Sequence, residues 1–567
     1  MGTSNGGESP SAVVPADWTI MLYIAADSTL ANFAVESLKQ LNESARKPAE
    51  PDDKADVVVA AQFSIDAPGG QEIQRYVFKN GGKKSLKANT RKPLDARDKP
   101  LLSEREALES FLEWGYNDPD LQSDHYALIL WSHGPELFLQ PPPGGNASDS
   151  ASLYLTPEDL RDALVKFNKL RTNNPKLEIV GFDACSMSMF ELAYEIKDLA
   201  KLMIASQEEV PDASFPYNDL VKLFRQQGKD LGLLLDTLDA KKGVSDPEST
   251  PLEGVTKDAL VTSLQSEHPS LLNGVRDYLN AYQDYVVGKP TGMNPVTLSV
   301  LNLTESNGLK DAVRGLACAL LKAKNYPELP HRLIQARKNS QDYAGGLYVD
   351  LHDFCTKLSE QLDKAKGLDK AKGPDKWKGI KEACREVQRL LKSLPVPFTT
   401  TPASPDLPPV SLDSPPASRT PAPTSFILIN GAVTQTGKPL LNQENTTSNH
   451  GISIYLPYLT DQQFDDKVNR PLVKGGRGTN GGKGIPNALN AAAGEYLMST
   501  LQSLILTTES YYGDLKLSAD TTWYSFITDQ WTKAIKDTDP NPDFRYSARQ
   551  IDINLRRKPI DVAKACK

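Results

Sequence analysis

Cysteine is scarce in this chain, five in 567 residues. That count excludes a disulfide-stapled scaffold and leaves at least one thiol unpaired. No Cys-x-x-Cys pair occurs, and the six histidines show no His-x-x-x-His spacing, so no zinc site is expected. No apolar run reaches the ~18 residues of a transmembrane helix. The opening MGTSNGGESPSAVVPADW lacks a basic start followed by an apolar stretch, so no secretory signal is expected either. A cytoplasmic protein with reduced thiols follows as the expectation. Positive charge is not in excess: 64 Lys and Arg against 72 Asp and Glu give a net charge of −8. That balance argues against nucleic-acid and membrane-surface partners. No Walker-type phosphate loop is present. What the chain does have is 39 % apolar residues, too many for wholesale disorder. Its length suggests roughly two to four domains.

Residues 18–24, WTIMLYI, form a continuous apolar run that reads as a buried strand. Leu30, Phe33, Ala34, Leu38 and Leu41 then recur on one face of a helix. Strands are expected at 57–63 and 71–78, with hairpin-type residues between them. A helix follows at 103–115, a strand at 126–131, and a helix at 157–170 opened by Thr156 and Pro157. A strand at 177–182, a helix at about 187–199 and a strand at 201–206 continue the alternation. Strand–helix alternation of this density predicts an α/β domain with a largely parallel sheet. Residues 308–394 read as mainly helical and contain the Lys/Gly-rich stretch 363–379, taken as a solvated linker. Ten prolines in 395–424 mark a Pro-rich connector. Strands return at 426–430 and 452–456, a Gly-rich loop spans 469–484, and a helix fits 486–504. The expected division is a flexible lead-in at 1–16, an α/β core at 17–307, the helical segment, the connector, a further stretch with strands at 425–532, and a charged tail at 533–567.

Two segments carry chemistry. YALILWSHG ends in His133 and Gly134, and LEIVGFDACSM contains Asp183 and Cys185. Each is a buried strand running into a small, turn-prone segment. Sites in open α/β sheets lie beyond the carboxyl ends of strands, where connections diverge. If the strands are neighbours, His133 and Cys185 face one crevice. A thiol near neutral pH is mostly protonated, and a histidine beside it takes the proton and returns it to the leaving amine. The tetrahedral oxygen needs backbone N–H donors, for which Gly134 and Cys185 are the candidates. A helix beginning just after Cys185 would favour the thiolate. Against this stands the ordinary reading of each as a lone core cysteine and a lone structural histidine.

TIMLYIAADSTL, ALILWSHG, EIVGFDACSMSMFELAYEI, LMIASQEEVPDASFPY, HGISIYLPY and YGDLKLSADTTWYSFI occur in this order. Together they resemble the clostripain family of cysteine peptidases, of the clan of caspases, gingipains and legumain. The resemblance spans about residues 17–532. It implies a caspase-like fold, a mostly parallel central sheet with helices on both faces, with 17–307 as catalytic core and 425–532 as the C-terminal part of the peptidase fold. It further implies endopeptidase activity through a dyad of Cys185 and His133, with Gly134 and the Cys185 amide as oxyanion hole. It also implies peptide substrates with Arg or Lys before the cut bond, and Asp183 at the base of the specificity pocket. A role for Asp183 in ordering the strand–helix turn stays open beside this. Asp212 is the candidate second pocket acid, with Glu208 behind it. The segment around Asp212 departs from the family's Pro-Gly-x-Gly-Trp run, since Asp212, Ser214 and Phe215 stand where small residues and Trp are expected.

Between His133 and Arg161 there is no Lys or Arg, so an enzyme specific for basic residues could not cut itself in that loop. Either no cut is needed there or a protease of different specificity makes it. The expectation is a latent proenzyme activated by cleavage at Lys241–Lys242, in the Lys/Gly stretch, at Arg419 or around Lys474–Arg477, with an upstream activating protease as a candidate partner, and acting in a regulated intracellular stress or defence response. No cofactor is required by these motifs; Ca²⁺ is left open, with Asp465–Asp466 as possible oxygen ligands. Two rivals remain: a catalytically silent caspase-like scaffold, and a peptide ligase using the same dyad.

Overall fold

The computed structural model describes residues 15–26, 30–67, 70–79, 104–132, 134, 155–171, 176–208, 210–211, 214–240, 269–287, 296–343, 348–366, 376–391, 427–433, 450–456, 515–538 and 566. Among them are eleven strands. The first seven are β1 (Ala16–Ala26), β2 (Val57–Ala67), β3 (Gly70–Lys79), β4 (Ser123–Trp131), β5 (Leu177–Asp183), β6 (Ala200–Ala205) and β7 (Val296–Asn302). The remainder are β8 (Asp342–Tyr343), β9 (Tyr348–Asp350), β10 (Ile427–Val433) and β11 (Ser453–Tyr455). An eight-stranded sheet runs in the order β10-β7-β6-β5-β4-β1-β2-β3. Its five central strands are parallel, and the outer pairings β2–β3, β6–β7 and β7–β10 are antiparallel. Strands β8, β9 and β11 form a separate antiparallel sheet.

The central strands carry mostly apolar runs because both faces are covered. In β1, Met21 and Tyr23 enter one core; Trp18, Ile20, Leu22 and Ile24 enter the other. The first core receives α2 (Glu104–Asn117), α3 (Pro157–Leu170) and α4 (Phe190–Ile196). Helices α7 (Ser306–Lys322), α8 (Leu329–Lys338), α9 (Leu351–Lys366) and α10 (Lys378–Leu390) extend it. The second core is closed by α1 (Ala31–Arg46), α5 (Tyr217–Ala240) and α6 (Pro269–Val287). Helix α3 has the bounds its sequence predicts. Thr156 Oγ1 accepts from the Asp159 amide while Asp159 bonds the Thr156 amide, a reciprocal cap with Pro157 at the first position.

Below the sheet's amino end, Arg171 donates to both Glu178 oxygens at 2.8 and 2.9 Å. The Tyr126 amide adds a third donor at 2.9 Å. Both charged side chains are buried. Arg171→Ala is expected to cost about 3 kcal/mol, because a buried carboxylate loses its two guanidinium hydrogen bonds and keeps only Lys201 Nζ, 3.9 Å away, as a charged neighbour. Glu178 lies at the opposite end of β5 from Cys185, so urea melts should shift while the activity of folded protein holds.

Cys318, whose apolar helical stretch reads as the setting of a reduced core thiol, is instead disulfide-bonded to Cys566 across 248 residues of sequence. Cys185, Cys355 and Cys384 take part in no disulfide. The first residues of the expected tail are helical, in Thr532–Thr538. The Pro-rich connector, the Gly-rich loop, the helix at 486–504 and the candidate cleavage sites Lys241–Lys242, Arg419 and Lys474–Arg477 lie outside the described residues.

Candidate active site

Strands β4 and β5 are parallel neighbours, with Trp131 opposite Asp183. Just past both carboxyl ends, the Ser132 amide donates to the Asp183 carbonyl at 3.3 Å, and the Ser132 hydroxyl donates to the Ala25 carbonyl at the end of β1 at 2.8 Å. β1 leads to β2 on one side while β4 leads to β5 on the other, so this is the point where the connections diverge.

Gly134 lies directly on the Cys185 backbone. A Cβ at position 134 would fall 2.2 Å from the Cys185 carbonyl oxygen and 2.7 Å from its nitrogen. No side chain fits there, and the obstruction is main chain that cannot swing aside. Gly134→Ala should therefore push the two segments apart. The expected result is a loss of roughly 100-fold in kcat/KM, since small misplacements at a reacting centre carry effects of that size; initial rates on a peptide substrate check it.

Cys185 is half-buried in a tight turn. Its Sγ accepts from the Val210 amide at 3.2 Å and lies 3.6 Å from the Val210 carbonyl. The next residue, Ser186, has a left-handed backbone (φ 55°) and is anchored by its amide donating to the Glu208 carbonyl at 3.0 Å. The expected helix at 187–199 is shorter, Phe190–Ile196. Cys185 thus stands outside the helix's first turn, where the dipole effect has faded. The donor aimed at the sulfur is instead the Val210 amide from the loop after β6.

Asp183 ends β5 with 3 % exposure. Its Oδ2 accepts from Tyr217 Oη at 2.7 Å and from the Phe215 amide at 3.1 Å. It also accepts from Ser214 Oγ, which in turn accepts from Trp131 Nε1. Burial pushes the Asp183 carboxyl up to about 6, against the pull of these donors. The buried hydroxyls of Tyr278 and Tyr282, on α6, have no hydrogen-bond partner among the described residues. Burial and then the Asp183 charge push both phenols well above their ordinary range.

Of the residues singled out from sequence, Cys185, Gly134 and Asp183 come together here. Glu208 lies in the adjoining loop, bonding Ser186 through its carbonyl. His133 and Asp212 lie outside the described residues. No group of three or more His, Cys, Asp or Glu that could hold a metal ion occurs among the described residues. Sequence reasoning missed Val210, Ser214 and Tyr217, whose roles depend on a loop folding back onto β5. Their one signal was the neighbouring departure from the family's glycine-rich run.

A family model, described as the clostripain family, matches residues 22–537. The chain belongs to the clostripain family. As a clostripain-family protein it is a cysteine peptidase, and its α/β architecture is the one that membership leads us to expect. Among solved structures it is similar to a secreted C11 cysteine protease from Bacteroides thetaiotaomicron in complex with an irreversible peptide inhibitor. That pair is 14 % identical, covers 80 % of this chain and 97 % of the other, and has a TM-score of 0.40. It is also similar to an inactive zymogen C11 protease from Parabacteroides distasonis, at 14 % identity, 78 % and 93 % coverage and a TM-score of 0.40. No curated protein matched the sequence.

Proposed function

We propose that this clostripain-family peptidase is an endopeptidase that cleaves after Arg or Lys, with Cys185 as nucleophile and His133 as its general base and acid. The observation that carries this reading is Gly134 packed against the Cys185 backbone at the ends of adjacent parallel strands. Ser132 and Gly134, the chain neighbours of His133, contact the segment holding Asp183 and Cys185. Cys185 Sγ attacks the scissile carbonyl carbon and its proton passes to the imidazole. The oxyanion is held by the Gly134 and Cys185 amides, the C–N bond breaks, and the amine leaves with the proton. Water then hydrolyses the thioester.

Preference for a basic side chain is supported by three buried groups around one point. Asp183 supplies a carboxylate, and the unpartnered Tyr278 and Tyr282 hydroxyls supply acceptors for the several N–H donors of a guanidinium or ammonium. Asp212 is proposed as a second acid. The absence of Lys and Arg between His133 and Arg161 supports a latent chain cut elsewhere by another protease. The Cys318–Cys566 disulfide favours an oxidising compartment over the reducing cytoplasm. Calcium dependence is tested in the same assay by adding chelator.

The test is a cleavage profile on a mixed peptide library, before and after limited proteolysis of the full chain. Cuts concentrated after Arg and Lys, and rising after proteolysis, are expected. Cuts indifferent to basic residues would remove the pocket assignment, and full activity of the uncut chain would remove latency.

A further inference from the structure

The loop that supplies Val210 to the nucleophile is pinned from behind by a buried polar cluster. Gln207 and Asp350 are each fully buried. Gln207 Nε2 donates to Asp350 Oδ2 at 3.1 Å, and Gln207 Oε1 accepts from the Gly451 amide at 2.7 Å. Those two partners fix which end of the amide is which, because a carboxylate only accepts and an N–H only donates. The other donors to Asp350 are the His450 amide at 2.6 Å, His450 Nδ1 at 3.0 Å and the Asp353 amide at 2.8 Å. Thr297 Oγ1 takes the next two amides of the loop, Gln207 at 2.9 Å and Glu208 at 3.2 Å. The Glu208 carbonyl then receives the Ser186 amide, and Val210 donates to Cys185 Sγ. Gly451 is itself locked, with φ at 90° and Ser299 and Ile427 within 3.2 Å of where a Cβ would stand. Its carbonyl accepts from Ser188 Oγ, three residues past the nucleophile, at 2.6 Å.

We propose that Gln207 is a positioning residue for Cys185: braced by Asp350 and Gly451, it holds residues 206–208 and, through them, Val210 so that the Ser186 turn and the Val210 amide keep the sulfur in its reactive place. This rests on Cys185 being the nucleophile. The physical reason is that Ser186 occupies a conformation unfavourable for a residue with a side chain. It persists only if neighbours over-determine it, and Gln207 ties that turn to β9 and to the segment leading into β11. Removing one partner leaves buried donors or acceptors unmatched, which loosens the loop rather than merely lowering stability.

Two variants test it in the full chain after the same limited proteolysis that activates it. Gln207→Ala removes both contacts. Gln207→Glu keeps the acceptor for Gly451 and the side-chain volume but sets a second carboxylate against Asp350. Two carboxylates at that spacing cannot both ionise without cost, so one takes up a proton on acidification and restores the lost donor. His352, His450, Asp353, Tyr343 and Cys355 face Asp350, with Glu208, Asp342, Lys357 and Cys384 further out. All are present in the wild type, so the variant-to-wild-type ratio at each pH isolates the new carboxyl.

The readouts are the rate of Cys185 alkylation by iodoacetamide, followed by peptide mapping, and kcat and KM on a fluorogenic peptide ending in Arg. Gln207→Ala is expected to lower both the alkylation rate and kcat at least 5-fold at pH 7.5, with KM changed less than 3-fold. Gln207→Glu is expected to lose as much at pH 8 and to recover at least 5-fold, relative to wild type, by pH 5.5. Wild-type alkylation and kcat in Gln207→Ala, or an equal loss at both pH values in Gln207→Glu, overturns the proposal. Wild type and Cys185→Ala run alongside. Unlabelled wild type, or a cleaving Cys185→Ala protein, overturns the nucleophile reading and this one together; labelled, active wild type with unaffected Gln207 variants overturns this one alone.

Discussion

Cys185→Ala should abolish peptide hydrolysis, with a loss on the order of 10⁴-fold or more, the scale seen when a covalent nucleophile is removed. No other cysteine can take its place: Cys355 and Cys384 are fully buried in the helical region, and Cys318 is tied to Cys566. The fold should survive. The half-buried thiol contributes one accepted hydrogen bond, from the Val210 amide, worth about 1 kcal/mol. His133→Ala should cost a comparable factor in turnover. Circular dichroism and a thermal melt separate loss of chemistry from loss of structure. Residual cleavage within tenfold of wild type in Cys185→Ala would assign the nucleophile elsewhere.

The second large effect belongs to Asp183→Asn. An amide oxygen can still accept from Ser214, Phe215 and Tyr217, so the 214–217 segment should stay in place. What disappears is the charge. If Asp183 pairs the substrate's basic side chain, kcat/KM for Arg and Lys peptides should fall on the order of 100-fold, about 3 kcal/mol, while peptides with neutral side chains at that position change little. If Asp183 serves only the turn, the two peptide classes should move together. Stability gives an independent readout with a definite sign. The folded carboxyl titrates at about 6, raised from 3.8. Between those values the folded state holds more protons than the unfolded one, so the wild type loses stability as pH rises from about 4 to 6, roughly 3 kcal/mol in all. Above pH 6 this contribution is constant. Asp183→Asn should lack that decline and melt higher than wild type at pH 7. Urea melts at pH 4 and 7 would show it, and a wild type no less stable at pH 7 than at pH 4, once other carboxylates are matched by the variant, would contradict it.

Asp183 also shows where sequence reading stops. Its place at the end of an apolar run was legible, but the three donors on one oxygen come from residues 31 to 34 positions later. Their arrival depends on how the loop after β6 closes, with Ser214 in a left-handed conformation at φ 69°. Likewise His352 and His450 read as scattered, structural or surface histidines. In the fold their rings stack at 3.8 Å beside Asp350. Burial, and the proximity of His450, push His352 down to about 4.

Local chemistry determined the alternating strands and helices, the start of α3 and the two strand ends carrying His133–Gly134 and Asp183–Cys185. Each is set by contiguous residues: an apolar run that must leave water, or a Thr-Pro-x-Asp cap that closes on itself. Tertiary structure alone decided that Gly134 meets Cys185, that the Val210 amide rather than a helix end faces the sulfur, and that Cys318 joins Cys566. The reason is distance along the chain. Such contacts form only after strand order and register are chosen by the burial of both sheet faces, a global balance that no short stretch of residues contains.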